Sequence, residues 1–149
     1  MTEGTLVYLF RGNEVLLAMK KRGFGTGKWN GPGGKIKPGE TPKEAGIREV
    51  GEELGIVPNL NRVLGTITYH DPKFGDWRVR VFRSLKWQGE PVETEEMRPQ
   101  WFAINKLPYA QMWSGDDQWM PNVINDYPFT AEVWGDGQGG VTKINVRQK

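Results

Sequence analysis

The sequence predicts an α+β fold in which a mixed β-sheet is sandwiched between α-helices. The prediction depends on two apolar-rich runs at the start of the chain, a strongly capped amphipathic helix after them, and further strand-like runs downstream. The chain has 149 residues, of which 37% are hydrophobic, and this is enough to fill one core. We therefore expect a single domain over residues 1–149.

The chain opens with a predicted hairpin. Its two strands are the apolar-rich residues 5–10 and 14–19, and the turn-forming residues 11–13 separate them. Residues 23–39 then contain seven glycines and two prolines, too many for the interior of a helix or strand. We predict a loop there that approaches a ligand closely.

The next segment carries the strongest helix signal. Thr41 can cap the helix, Pro42 suits its first position, and Glu44 completes a capping box. The helix is predicted to run from Pro42 to Leu54, because Gly55 is a typical C-terminal stop. The apolar face that we expect to pack on the sheet consists of Ile47, Val50 and Leu54.

Strand-like runs dominate the second half of the chain. These runs are residues 62–69, 78–85, 100–103, 129–134 and 141–146. The last two are predicted to form a hairpin around the glycine-rich turn 135–140, and residues 121–126 a second, shorter helix. The result is a sheet layered between two helices.

Composition argues against several classes of protein. No stretch approaches the roughly 20 apolar residues of a membrane span, and the first ten residues do not resemble a secretory signal. The absence of cysteine excludes disulfides and thiolate sites and suits a reducing, cytoplasmic setting. The net charge of +2 does not indicate a nucleic-acid polymer as partner. We expect a monomer that acts on a small molecule.

An acidic strip on the predicted helix is the first candidate site. Glu49, Glu52 and Glu53 share one face, opposite the apolar stripe, because they are spaced at i, i+3 and i+4. Such a strip can bind Mg²⁺, which takes oxygen ligands and bridges carboxylates to phosphates. In the preceding loop, Gly33 and Gly34 are candidates for coordination through their backbone carbonyls. Taken alone, an acidic triplet is more often a solvated face.

The residues around this strip change that interpretation. They match every position of the Nudix box, and the matching residues are Gly34, Glu40, Arg48, Glu49, Val50, Glu52, Glu53, Gly55 and Ile56. The chain therefore resembles the Nudix hydrolases, and the resemblance implies the Nudix fold and hydrolysis of a diphosphate bond.

The resemblance also implies a metal site and its roles. Glu49, Glu52 and Glu53 would hold Mg²⁺, with Mn²⁺ as the alternative, and would position or deprotonate the attacking water. Glu96 matches a further glutamate near the metal. Arg48 is expected to orient a neighbouring carboxylate, whereas Glu40 and Glu44 are expected to serve the helix start, where negative charge is favourable.

Outside the box, the chain resembles the MutT homologues that hydrolyse oxidised purine nucleoside triphosphates to the monophosphate and pyrophosphate. The segments that carry this likeness are residues 19–25, 28–31, 96–99 and 112–113, followed by Trp119 and Pro121. The resemblance implies a nucleotide site made by Thr5, Lys20, Phe24, Asn30, Tyr69, Trp113 and Asp116. In it, Trp113 stacks on the base and Asp116 bonds the base edge.

One departure leaves the base preference open. In this branch two adjacent aspartates stand two and three residues after the stacking tryptophan, whereas here Gly115 takes the first place and Asp116 keeps the second. Oxidised purine triphosphates such as 8-oxo-dGTP or 2-hydroxy-dATP are the first expectation. Alternatives are a dinucleoside polyphosphate, a nucleotide sugar, the 5′ end of RNA, or a Nudix module that binds a nucleotide without cleaving it.

Overall fold

Eight of the ten strands form one mixed sheet, and a helix covers each of its faces. The computed structural model describes all residues from Met1 to Lys149. The strands are β1 (Thr2–Arg11), β2 (Glu14–Lys20), β3 (Trp29–Asn30), β4 (Val57–Pro58), β5 (Gly65–Asp71), β6 (Gly75–Ser84), β7 (Trp87–Gln88), β8 (Met97–Ala103), β9 (Phe129–Gly135) and β10 (Val141–Gln148). The helices are α1 (Pro42–Leu54) and α2 (Asp116–Ile124), and a 3₁₀ turn covers Tyr109–Gln111.

The sheet is mixed because two of its strand pairs are parallel. Its order is β10-β9-β5-β6-β1-β2-β3, with β8 also paired to β2, and strands β4 and β7 form a separate small ribbon. The pairs β1–β6 and β5–β9 are parallel, and the other pairs are antiparallel. Together with the match to solved structures reported below, this confirms the predicted fold class.

Side-chain alternation along β1 explains how both faces of the sheet are covered. Val7 and Leu9 belong to a core cluster with Val50 and Leu54 of α1. Their neighbours Tyr8 and Phe10 point to the other face and join a cluster that includes three residues of α2, namely Trp119, Met120 and Val123. The helices therefore lie on opposite faces, as predicted.

The glycine-rich loop is inserted into the sheet. Strand β1 pairs with β2 only at Phe10 and Arg11, beyond which the two strands diverge. Loop carbonyls occupy the gap, since Thr5 N–H donates to Gly34 O at 2.9 Å and Val7 N–H donates to Pro32 O at 2.8 Å. The loop is thereby held against a central strand.

Helix α1 has the predicted bounds and caps. The Thr41 hydroxyl accepts a bond from Glu44 N–H at 3.1 Å, and the Glu44 carboxylate accepts one from Thr41 N–H at 2.9 Å. Gly55 ends the helix in a left-handed conformation with φ 72°. This local part of the prediction is confirmed.

Other bounds differ from the predictions. The second helix begins at Asp116 instead of residue 121, so that Pro121 lies inside it. The predicted strands 62–69, 78–85 and 100–103 are observed at 65–71, 75–84 and 97–103. For the first of them, sheet pairing begins only where Leu64 N–H reaches Val81 O at 2.8 Å. The ends of these strands are set by pairing with strands that are distant in sequence, so the extent of an apolar run does not predict them.

Candidate functional site

A cavity of about 860 Å³ opens beside the glycine loop. Most of the predicted site residues line it, namely Thr5, Lys20, Phe24, Asn30, Gly33, Gly34, Glu49, Glu53, Tyr69, Glu96 and Trp113. Three do not, namely Arg48, Glu52 and Asp116. The cavity has an acidic end at α1 and an aromatic end at the loops around Phe24 and Trp113.

Glu49 and Glu53 form the acidic end together with the loop backbone. Glu53 is only 4% exposed, and its Oε2 accepts a bond from Gly33 N–H at 3.4 Å. A Cβ on Gly34 would lie 2.6 Å from Oε2 of Glu49, so only glycine allows this close approach. Burial raises the pKa of Glu53 well above its usual range, and the neighbouring Glu49 carboxylate raises it further.

The donors at this end are all oxygens and suit a hard divalent cation. No three acidic or histidine side chains converge on one point. Mg²⁺ is commonly held by one or two carboxylates together with water and substrate phosphates, so the Glu49–Glu53 pair fits it without a closed cage. Of the two candidate loop carbonyls, that of Gly34 already accepts from Thr5 N–H at 2.9 Å. Bringing a cation to this pair would also relieve the repulsion between its two carboxylates.

Glu52 and Glu96 are more exposed to solvent than Glu49 and Glu53. The side chain of Glu52 is 53% exposed and forms an ion pair with Arg48 at 3.3 Å. Glu96 lines the cavity, and its Oε1 lies 3.7 Å from Arg22. Both carboxylates can turn toward a ligand without losing a buried bond.

Arg48 connects the box carboxylates to one another. Its guanidinium donates to both oxygens of Glu40, at 2.6 and 2.9 Å, and to Glu49 Oε1 at 3.0 Å. It also donates to Lys35 O at 3.0 Å. The expectation that Glu40 serves the helix start is therefore corrected. Glu40 holds Arg48 instead, and the bond from Arg48 is the main cause that lowers the pKa of Glu40 to about 2.

Phe24, Phe74 and Trp113 form the aromatic end. The ring centroids of Phe24 and Trp113 are 5.3 Å apart with an interplanar angle of 26°, and those of Phe24 and Phe74 are 4.8 Å apart. Phe24 is 56% exposed, so the rings offer an open apolar surface to a flat ligand. Sequence analysis missed Phe74, which comes from the β5–β6 turn and carries no motif.

Asp116 lies behind the cavity wall at the start of α2. It is 2% exposed, and its Oδ2 has no hydrogen-bond partner. Burial is the main cause that raises its pKa to about 8, and the charge of Asp117 adds to the shift. The preceding Gly115 has φ 92°, a left-handed conformation that an aspartate rarely adopts. The sequence departure at Gly115 therefore has a backbone reason.

Asn30 reaches the cavity from β3, and the core supports it. Its Oδ1 accepts a bond from the Tyr8 hydroxyl at 3.0 Å and another from Gly31 N–H at 2.9 Å. Sequence analysis missed Tyr8 because it lies within an apolar run of β1, where nothing distinguishes it from a core residue.

The chain is similar to several known proteins. Residues 2–123 match the family model described as the NUDIX domain. A Danio rerio protein named oxidized purine nucleoside triphosphate hydrolase is 44% identical over 128 residues, which cover 84% of this chain and 81% of that protein. A Mus musculus protein of the same name is 37% identical over 147 residues, covering 97% and 93%.

The crystal structure of a mutator MutT protein from Bacillus halodurans has a TM-score of 0.82, at 22% identity and with coverage of 98% of this chain and 97% of that one. At that identity the likeness concerns the fold. In addition, none of the helices is both long and apolar enough to cross a membrane.

Proposed function

The chain belongs to the Nudix hydrolase family, and from this premise we propose that it hydrolyses oxidised purine nucleoside triphosphates to the monophosphate and pyrophosphate. The substrates proposed are 8-oxo-dGTP and 2-hydroxy-dATP. The observation that carries the proposal is that one cavity connects the carboxylate pair of Glu49 and buried Glu53 to an aromatic surface. The names of the Danio rerio and Mus musculus relatives support it.

In the proposed complex, the base occupies the aromatic end and the triphosphate extends to the acidic end. Trp113 and Phe24 provide ring faces for stacking, and Thr5 and Tyr69 line the walls between the two ends. Asn30 and Asp116 are proposed to bond the base edge; for Asp116, this requires its buried carboxyl to become accessible from the cavity. Lys20 lines the cavity and supplies positive charge for the phosphates.

Nudix hydrolases use divalent metal ions, and we propose Mg²⁺ here, with Mn²⁺ as a substitute. Glu49 and Glu53, with the carbonyls of Gly33 and Gly34, are the proposed inner ligands, and the exposed Glu52 and Glu96 are the proposed outer ones. When bound, the metal supplies neutralisation of the phosphate oxygens and of the charge on leaving pyrophosphate.

The side chains of the box perform the remaining steps. Glu53 lines the acidic end of the cavity, so it is proposed to position the attacking water or to accept its proton. Arg48 keeps Glu49 in place through its bond to Oε1. Water then attacks phosphorus directly, and no covalent enzyme intermediate is needed.

Composition supports the proposed setting. The absence of cysteine suits the reducing cytoplasm, and the net charge of +2 suits a small nucleotide better than a nucleic-acid polymer. We propose that the enzyme acts as a monomer.

The test is hydrolysis with Mg²⁺, followed through the nucleotide products by chromatography, across 8-oxo-dGTP, 2-hydroxy-dATP, the ordinary triphosphates, diadenosine tetraphosphate and ADP-ribose. We expect an oxidised purine to lead in kcat/KM by about tenfold or more, as several added contacts allow. Glu53→Gln should abolish turnover. Glu44→Gln is the matched control, because Glu44 lies on the same helix away from the cavity and glutamine also completes a capping box.

Two outcomes would overturn the proposal. If an ordinary triphosphate or a dinucleotide leads, the assignment to oxidised purines is wrong although the hydrolytic chemistry stands. If no compound is cleaved while nucleotides still bind, the chain is a binding module.

A further inference from the structure

The carbonyl of the Asn30 side chain is fully engaged within the protein. Tyr8 donates its hydroxyl proton to Oδ1 at 3.0 Å, and Gly31 N–H donates to the same oxygen at 2.9 Å. A backbone N–H can only donate, so the atom that faces Gly31 must be the oxygen of the amide. The orientation of the amide is thereby fixed, and both lone pairs of Oδ1 are used.

The other end of the amide is free. Nδ2 of Asn30 makes no hydrogen bond to the protein, and the residue lines the cavity. An NH₂ group carries two donors and no acceptor. The surface that Asn30 presents to a ligand therefore has donor character only.

Packing on all sides holds the Tyr8 ring, and with it the hydroxyl, in one position. The residue is fully buried, and its ring meets the edge of Trp119 with centroids 6.1 Å apart. A Cβ on Gly31 would lie 2.8 Å from Cε1 and Cζ of the ring, so the ring fits under that glycine. Burial, with the charge of Asp116, raises the pKa of Tyr8 well above its usual value, and the hydroxyl remains a donor.

We propose that Tyr8 is a positioning residue that sets the base specificity of the cavity by occupying the second lone pair of Asn30 Oδ1, while Gly31 N–H fixes the amide orientation. A purine with a carbonyl at C6 is then bound in preference to one with an amino group there. This inference rests on the proposed function, since it assumes that a purine occupies the cavity. Tyr8 itself does not touch the base.

The chemistry of adenine recognition supports this direction. Asparagine usually binds adenine through two bonds, in which Oδ1 accepts from the 6-amino group and Nδ2 donates to N7. Here Tyr8 and Gly31 occupy both lone pairs of Oδ1, so that pairing is not available unless one of these two bonds is broken. A carbonyl oxygen at C6 matches the free NH₂ group, which favours 8-oxo-dGTP over 2-hydroxy-dATP.

The experiment compares nucleotides that differ at C6. Binding of 8-oxo-dIMP and 8-oxo-dAMP is measured by calorimetry, and kcat and KM are measured separately for the two triphosphates. The wild type should favour the 6-oxo compound. Tyr8→Phe should lower this preference by about 3- to 10-fold, the effect of one net hydrogen bond, through KM with little change in kcat.

Two further variants keep the test interpretable. Tyr109→Phe removes the hydroxyl of a different tyrosine, which is only partly buried, and should leave the preference unchanged. Asn30→Asp replaces the donors with a carboxylate oxygen and should reverse the preference, so it tests the inference even if Tyr8→Phe does not fold.

The inference and the proposed function can fail separately. A folded Tyr8→Phe with the wild-type preference overturns the inference while hydrolysis stands. Selective binding that Tyr8→Phe weakens, without any hydrolysis, supports the inference and overturns the proposed function. If neither monophosphate binds and neither triphosphate is hydrolysed, both are overturned.

Discussion

The buried carboxyl of Asp116 has a raised pKa, which should make the stability of the protein depend on pH. Its carboxyl is buried without a partner for Oδ2, and its pKa is raised to about 8. A raised pKa in the folded state means that the protonated form is favoured by folding. The stabilisation is therefore complete below the unfolded pKa, near 4, and is lost as pH rises through about 8.

We expect Asp116→Asn to flatten the dependence of stability on pH. Relative to the variant, the wild type should lose up to about 1.4 kcal/mol of unfolding free energy per pH unit between pH 5 and 8. Urea unfolding at four pH values measures this difference. The exposed neighbour Asp117→Asn serves as control, and parallel pH curves for wild type and Asp116→Asn would contradict the prediction.

At this scale the sequence identified residues that belong to a motif and missed those that support them. Glu49, Glu53 and Asn30 carry recognisable spacing or segments and do line the cavity. Tyr8 and Phe74 could not be predicted because their roles depend on contacts across 22 and 50 residues of chain, respectively, to Asn30 and Phe24. The spacing of residues along the chain does not predict such contacts.

In the segment between β7 and β8, the Thr94 hydroxyl connects the end of α1 to the residues at the start of β8. Thr94 Oγ1 donates to Glu53 O at 3.0 Å and accepts from Glu96 N–H at 3.3 Å and from Met97 N–H at 3.2 Å. Through Thr94, these bonds connect the main chain of Glu53 to the main chain of Glu96. The segment is thereby fixed on the C-terminal end of the helix.

Thr94→Val keeps the shape and removes the hydroxyl, so the three bonds are lost. We expect it to lower the unfolding free energy by about 1 to 3 kcal/mol and Thr94→Ser to restore most of the loss. Chemical denaturation provides the measurement. Thr142→Val is the matched control, since the Thr142 hydroxyl makes only an exposed bond to Trp134 O at 3.1 Å. An equal cost at both positions would show that Thr94 has no special role.

Helices α1 and α2 show what local sequence can and cannot predict about an element. Both ends of α1 are set by adjacent residues, Thr41 and Gly55, so the sequence alone predicts where the helix begins and ends. The start of α2 depends on the left-handed Gly115 and on the burial of Trp119 between Tyr8 and Phe129. Pro121 resembles a first-turn residue in sequence, but packing places the first turn five residues earlier.

On the scale of the whole molecule, the cavity wall combines residues from Gly4 to Val141. A ligand that fills it contacts both helix-covered parts of the sheet and should stabilise the entire chain. With Mg²⁺ and 8-oxo-dGMP at about 100 times Kd, we expect about 2.7 kcal/mol of added unfolding free energy. Hydrogen exchange should slow in α1 and in the β9–β10 turn together.

Trp113→Ala should weaken this stabilisation, while Trp87→Ala, remote from the cavity, should change only the starting stability. Protection confined to one of the two segments would mean that the ligand bridges less of the molecule than the cavity suggests.

The insertion of the glycine loop between β1 and β2 has a consequence for how such an enzyme can acquire new substrates. The carbonyls and carboxylates proposed for the chemistry are built into the sheet and α1, whereas Phe24, Phe74 and Trp113 come from loops and turns at the other end of the cavity. Two of the three rings, Phe74 and Trp113, therefore come from segments that are separate from the hydrolytic centre. Exchanging the β5–β6 turn and the segment before α2 would reshape the stacking surface while the hydrolytic centre and the Tyr8–Asn30 pair stay unchanged.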